Sequence, residues 1–121
     1  MLRRIFYPIT LLTPLLIAEE IQFNRDIRPI LTTQCTACHG GVKEAGGISF
    51  VFREKALAEG ESGHRTIVPG KPEESALWKR LIQTDPDEVM PPPESHKELK
   101  PAQKELLKQW IVQGAPWQPH W

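Results

Sequence analysis

The chain is 121 residues long with 15 basic and 15 acidic side chains, a balance that offers no basic stripe to nucleic acid. Two Cys exclude a disulfide framework. Twelve Pro and eight Gly call for short elements joined by much ordered loop.

Arg3 and Arg4 precede a largely apolar run from Ile5 to Ile17, which ends at Ala18 before Glu19 and Glu20. This is the layout of a secretory signal, and the run is too short to span a bilayer. Pro8 and Pro14 interrupt it, and Leu16 is larger than the residue usual three positions before a cleavage point, so an uncleaved anchor or an amphipathic surface helix is the competing reading. We read residues 1–18 as the leader and 19–121 as one exported domain. The domain loses Arg3 and Arg4 with the leader and is slightly acidic, with no membrane span of its own.

Asp26 is the expected N-cap of a helix over 27–39 in which Pro29 takes the third position, where its missing N–H is no loss. Ile27, Ile30, Leu31, Cys35 and Cys38 recur at helical intervals, and Gly40 and Gly41 end the run. Its last turn reads Cys35-Thr36-Ala37-Cys38-His39. C-x-x-C-H is the attachment signature of a c-type haem. Positions i, i+3 and i+4 share one helical face, so both thiols and the imidazole meet the same object. Cys35 and Cys38 then carry thioethers, and His39 is the proximal iron ligand. A thioredoxin-like pair lacks its βαβ context here, and a zinc site lacks ligands. A simple disulfide is the remaining alternative.

The apolar stretch Ile48 to Phe52 is β-prone, and Arg53 to Glu59 reads as a short helix stopped by Gly60. Pro72 suits the first turn of a third helix with an apolar ridge of Leu77, Trp78, Leu81 and Ile82, expected to pack on the haem or on the first helix. A last helix starts at Pro101, carries Leu106, Leu107, Trp110 and Ile111 on one face and closes at Gly114, with Lys100 a poor N-cap. The fold expected is all-α: about four short helices with long Pro/Gly-rich loops around one haem, its first and last helices crossing beside it. Trp78 and Trp110 are expected to be plain core.

Met90 is the candidate second axial ligand. It is the one thioether outside the leader, and Pro91, Pro92 and Pro93 after it form a stiff stretch suited to holding a loop across a haem face. His64, His96 and His120 are the alternatives, for a bis-His iron.

The runs Phe23 to Leu31, Cys35 to Gly40, Gly46-Gly47, Ile67 to Ser75, Asp85 to Glu88, Met90 to Pro93 and Gly114 to Trp117 together resemble the planctomycete-type cytochrome c domain. The resemblance implies a small class I-like monohaem cytochrome c fold with thioethers on Cys35 and Cys38, His39 proximal and Met90 distal. Two positions depart from the family: Ile48-Ser49-Phe50-Val51 stands where Leu-Arg-Leu-Asp is usual, and Val89 where a basic residue often precedes Met90. In that family the domain usually opens a longer polypeptide.

The function expected is therefore single-electron transfer in the periplasm through one covalent haem c, with a redox protein as partner. A haem module of a larger, fused or docked, periplasmic oxidoreductase is the second reading. A haem enzyme or gas sensor with an open iron site is the third. No nucleophile with a base and an orienting group is apparent, so no catalytic residue is assigned. Asp85, Asp87 and Glu88 are candidates for steering a basic partner.

Overall fold

The computed structural model describes residues 2–11 and 20–120. Residues 2–11 are exposed and outside regular structure. The expected leader end at Ala18 lies outside the described residues. No helix among the described residues is long and apolar enough to cross a membrane.

The described residues hold four α-helices and no sheet: α1 Arg28–Gln34, α2 Arg53–Leu57, α3 Ala76–Leu81 and α4 Pro101–Val112. A π-helical turn, Phe23–Ile27, leads into α1, and 3-10 turns cover Ala45–Gly47, Pro72–Glu74 and Pro93–Ser95. The all-α expectation is met; several element boundaries are not.

The first helical segment starts earlier than Asp26. Phe23 and Ile27, four apart, are both buried, and this apolar pair winds the chain into a helical turn before the expected cap. Asp26 still serves the entry, since its Oδ2 accepts the Gln22 N–H at 2.9 Å. Arg25 holds the same carboxylate below its ordinary range. Asn24 and Arg28 bind the C-terminal segment: the Asn24 N–H donates to Gln118 Oε1, and Arg28 Nη2 donates to the Gln118 carbonyl, both at 2.9 Å.

At its other end α1 stops at Gln34 instead of running to His39, because Cys35 leaves the helical path with φ −122°. α2 ends two residues before the expected Glu59, at Leu57, where Ala58 becomes extended. Ile48 to Phe52 forms no strand; Phe50 turns inward and is buried.

The third helix is broken at Ser75, whose φ and ψ of −88° and 121° separate the Pro72–Glu74 turn from α3. The buried Ser75 hydroxyl accounts for the break. It donates to the Lys71 carbonyl and accepts the Val68 N–H, both at 2.9 Å, tying the two preceding turns together. Leu77 and Leu81 are buried, whereas Ile82 of the expected ridge is half exposed.

α4 begins at Pro101 as expected. Lys100 has no side chain able to accept, and the start is rescued from within the helix: Gln103 Oε1 accepts the Lys100 N–H at 2.9 Å. α4 packs on the Phe23–Ile27 turn, with Leu107, Trp110 and Ile111 fully buried. Trp110 is plain core, tilted against Phe23 with centroids 5.7 Å apart. Trp117 stacks on Phe23 at 4.0 Å and lies 6.1 Å from Trp110, so the three rings form one cluster. Buried side chains from Ile21 to Ala115 form one cluster, which braces α1 from behind and leaves its C-terminal turn free to face a cavity.

Candidate functional site

Where α1 ends, the chain makes one more turn. The Cys35 N–H donates to the Leu31 carbonyl and the His39 N–H to the Cys35 carbonyl, both at 2.9 Å. Cys35, Cys38 and His39 thus keep the i, i+3, i+4 relation even though the regular helix has stopped. Gly40 makes this turn possible, because a Cβ there would lie 2.2 Å from the Thr36 carbonyl oxygen. Backbone cannot yield as a flexible side chain does. Gly40→Ala is therefore expected to destabilise the fold by at least about 1–3 kcal/mol, the cost of overpacking, read as a lower denaturant midpoint at unchanged slope.

His39 is held in one orientation. Its Nδ1 lies 2.9 Å from the Ala45 carbonyl oxygen, which can only accept, so Nδ1 carries the proton and Nε2 keeps its lone pair. Ala45 is placed by its own N–H, which donates to the Cys38 carbonyl at 2.8 Å. Gly46 and Gly47 follow at φ 65° and 72°, a left-handed pair that turns the chain away and leaves the Ala45 carbonyl aimed at the ring. Phe50 completes the surround: its N–H donates to the His39 carbonyl at 2.9 Å, and its ring meets the imidazole edge-on at 5.9 Å.

Met90 arrives on a different element. Its N–H donates to the carbonyl of Arg80, on α3, at 3.1 Å. Arg80 also pairs with the Glu88 carboxylate and donates to the Glu88 carbonyl at 3.2 Å. The turn itself is closed by the Val89 N–H on the Asp85 carbonyl at 2.9 Å. α3 thus carries the loop that presents Met90. With Glu88 bound to Arg80 and Asp85 Oδ1 accepting the Asp87 N–H, the three acids form part of this loop's scaffold.

One cavity of about 350 Å³ is lined by Cys35, Cys38, His39 and Met90 together. Phe50, Ile48, Leu77 and Leu81 supply apolar wall. His64 lines it as well, from an exposed position; His96 and His120 do not. Neither Trp78 nor Trp110 reaches it, and no α4 residue does, so the last helix backs the first without standing beside the cavity. Lys43, Arg80 and Lys97 are the charged side chains of its lining. Sequence reasoning did not pick out Ala45, Phe50 or Thr66; the paired Gly46-Gly47 was the one signal pointing to the Ala45 turn.

Burial pushes the Cys35 thiol up to about 12, against the opposing pull of Lys97, so the folded chain holds it protonated at neutral pH. The two thiols are not joined to each other. Among the described residues no three His, Cys, Asp or Glu side chains form a metal-holding group.

Two thiols, an imidazole with a free Nε2 and a soft thioether around an apolar cavity form a donor set that suits a c-type haem, and the volume falls within the usual range of cofactor sites. A family model described as Planctomycete cytochrome C matches residues 35–94, from the first thiol past Met90. The Phe23 to Leu31 and Gly114 to Trp117 runs lie outside that span. No curated protein and no solved structure matches the chain. A cytochrome c family implies haem c and an electron-transfer role, and residues 35–94, which supply most of the cavity's lining, match the Planctomycete cytochrome C family.

Proposed function

We propose that this chain is an exported monohaem cytochrome c that carries single electrons in the periplasm and is not itself an enzyme. The observation that carries the reading is the convergence of Cys35, Cys38, His39 and Met90 on one apolar cavity from two separately anchored elements. Bound there, a haem supplies one-electron exchange at iron. Cys35 and Cys38 hold it through thioethers. His39 offers Nε2 because Ala45 has claimed the Nδ1 proton, and a carbonyl partner of this kind also raises the ligand's basicity.

Met90 would supply the second iron ligand, a soft donor that favours the reduced iron. Its backbone tie to Arg80 holds it at the cavity without any contribution from the sulfur itself. His64 is the competing ligand, since it lines the same cavity, but it sits on an exposed loop, where its N–H donates to Ser62 Oγ at 3.4 Å and its carbonyl accepts the Gly60 N–H at 3.1 Å. With His39 and Met90 both on the iron, a bound haem would have no open position for substrate. Leu77, Leu81 and Phe50 keep water from the macrocycle. The basic run Arg3-Arg4 and the apolar stretch after it support export. The partner is a second redox protein meeting the cavity mouth through a small, short-lived interface.

Cys35→Ser and Cys38→Ser test the attachment. Expressed with the leader in cells that mature c-type cytochromes, each variant is expected to carry one thioether at most, with the haemochrome band shifted to the red and haem partly lost to acid-acetone. A variant that keeps the wild-type band and full retention removes that cysteine from the site.

A further inference from the structure

Among the described residues Ser49, Thr66 and Ser75 are the buried polar side chains. The Ser49 hydroxyl accepts the Val51 N–H at 3.2 Å, and Ser75 is bonded to Val68 and Lys71. Thr66 differs. It is 2% exposed, and its Oγ1 has no hydrogen-bond partner among the described residues. Its backbone is held on both sides, the N–H donating to the Ala58 carbonyl at 3.2 Å and the carbonyl accepting the Leu77 N–H at 2.9 Å, so both main-chain groups are already paired and neither serves the hydroxyl. An unpaired hydroxyl in such surroundings costs about 1–3 kcal/mol and requires an explanation.

Of the three, Thr66 alone lines the cavity. Ser62 and His64, at alternate positions before it, line the cavity too, and both are exposed. Side chains 62, 64 and 66 thus make a polar stripe that runs from the mouth to a buried donor. The other orphaned buried atom of the lining, Gln34 Oε1, can only accept.

A haem is apolar except for its iron and its two carboxylates, so a buried O–H donor in its cavity has few acceptors to meet. The Met90 sulfur is a weak acceptor, and its residue is tied to Arg80 at the far end of α3, whereas Thr66 is tied to Leu77 near the helix start. A carboxylate makes a charge-assisted bond roughly twice as strong as a neutral one. We propose that Thr66 Oγ1 donates a hydrogen bond to one haem carboxylate, and that Ser62 and His64 flank its path to the mouth. The inference rests on the haem reading above. Thr66 is then a positioning residue: by neutralising part of a negative charge near the iron, it holds the reduction potential up.

The test compares Thr66→Val, which keeps the shape and loses the donor, with Thr66→Ser, which keeps the donor, in the haem-loaded full chain. Redox titration and redox-difference infrared spectra of the carboxylate stretch are the readouts. Thr66→Val is expected to shift the potential downward and move the carboxylate band, while Thr66→Ser keeps both near wild type. Thr66→Ala, which introduces no bulk, is measured in parallel, so that a Val variant unable to fold leaves the test standing. An unaltered potential and carboxylate band in the haem-loaded variants lacking the hydroxyl overturns the assignment. So does a change confined to the far-red sulfur-to-iron band, which places the hydroxyl on Met90. A wild-type chain that retains no haem at all fails the parent reading instead, and the two failures are distinct.

Discussion

Met90→Ala is expected to abolish the weak far-red sulfur-to-iron band of the oxidised protein, lower the reduction potential, and open the iron to carbon monoxide and cyanide. The reasoning separates the ligand from its scaffold. The Met90 loop is held by main-chain and neighbouring contacts: the Met90 N–H on the Arg80 carbonyl, Glu88 on Arg80, and the Val89 N–H on the Asp85 carbonyl. None involves the Met90 side chain, so the substitution deletes the thioether and leaves the loop in place. A soft sulfur donor favours the ferrous state, and its loss shifts the balance toward ferric iron. The attachment through Cys35 and Cys38 is expected to persist, which distinguishes loss of a ligand from loss of the haem. An unchanged spectrum moves the assignment to His64, the one alternative imidazole that lines the cavity. His64→Ala then becomes the variant that loses the sixth ligand.

The largest loss of stability is expected from Trp110→Ala, about 3–5 kcal/mol. Trp110 is fully buried where three segments meet. Its ring lies 5.7 Å from Phe23 of the entry turn and 6.1 Å from Trp117 of the C-terminal segment, and its Nε1–H donates to the Pro116 carbonyl at 2.7 Å. Truncation leaves a cavity at the hub and strips the Pro116 carbonyl of its donor, so two costs add. Because Trp110 lines no part of the haem cavity, the folded variant is expected to keep the wild-type visible spectrum while its denaturant midpoint falls. A loss below about 1 kcal/mol, the ordinary effect of a point substitution, contradicts this account of the core.

What was legible in the sequence was mostly local. Pro101 and the spacing of Leu107, Trp110 and Ile111 predict α4 because its apolar face repeats with the helical period. The Cys35, Cys38, His39 spacing carries its geometry within a single turn, and it survives although α1 stops at Gln34. Boundaries failed where a tertiary contact overrode the local rule. Phe23 pulls the helical path back past Asp26 because it packs against both Trp110 and Trp117, more than 80 residues away in the chain. Ser75 breaks the third helix through a buried hydroxyl that serves Val68 and Lys71. The Ala45 carbonyl on His39 and the unpaired Thr66 hydroxyl carry no residue-type signal, since a backbone oxygen looks alike at every position and a Thr in a loop is ordinarily solvated. The acids expected to steer a partner looked free in sequence, yet Glu88 is committed to Arg80 through the fold of its own loop.

The central claim is that this chain binds one haem covalently through its two cysteines. Its most direct test is the intact mass of the wild-type protein, expressed with its leader in cells that mature c-type cytochromes and measured under denaturing, reducing conditions. The account predicts a single species at the mass of the processed polypeptide plus one haem. A species at the bare polypeptide mass, from cells that attach haem to a control cytochrome, would contradict it.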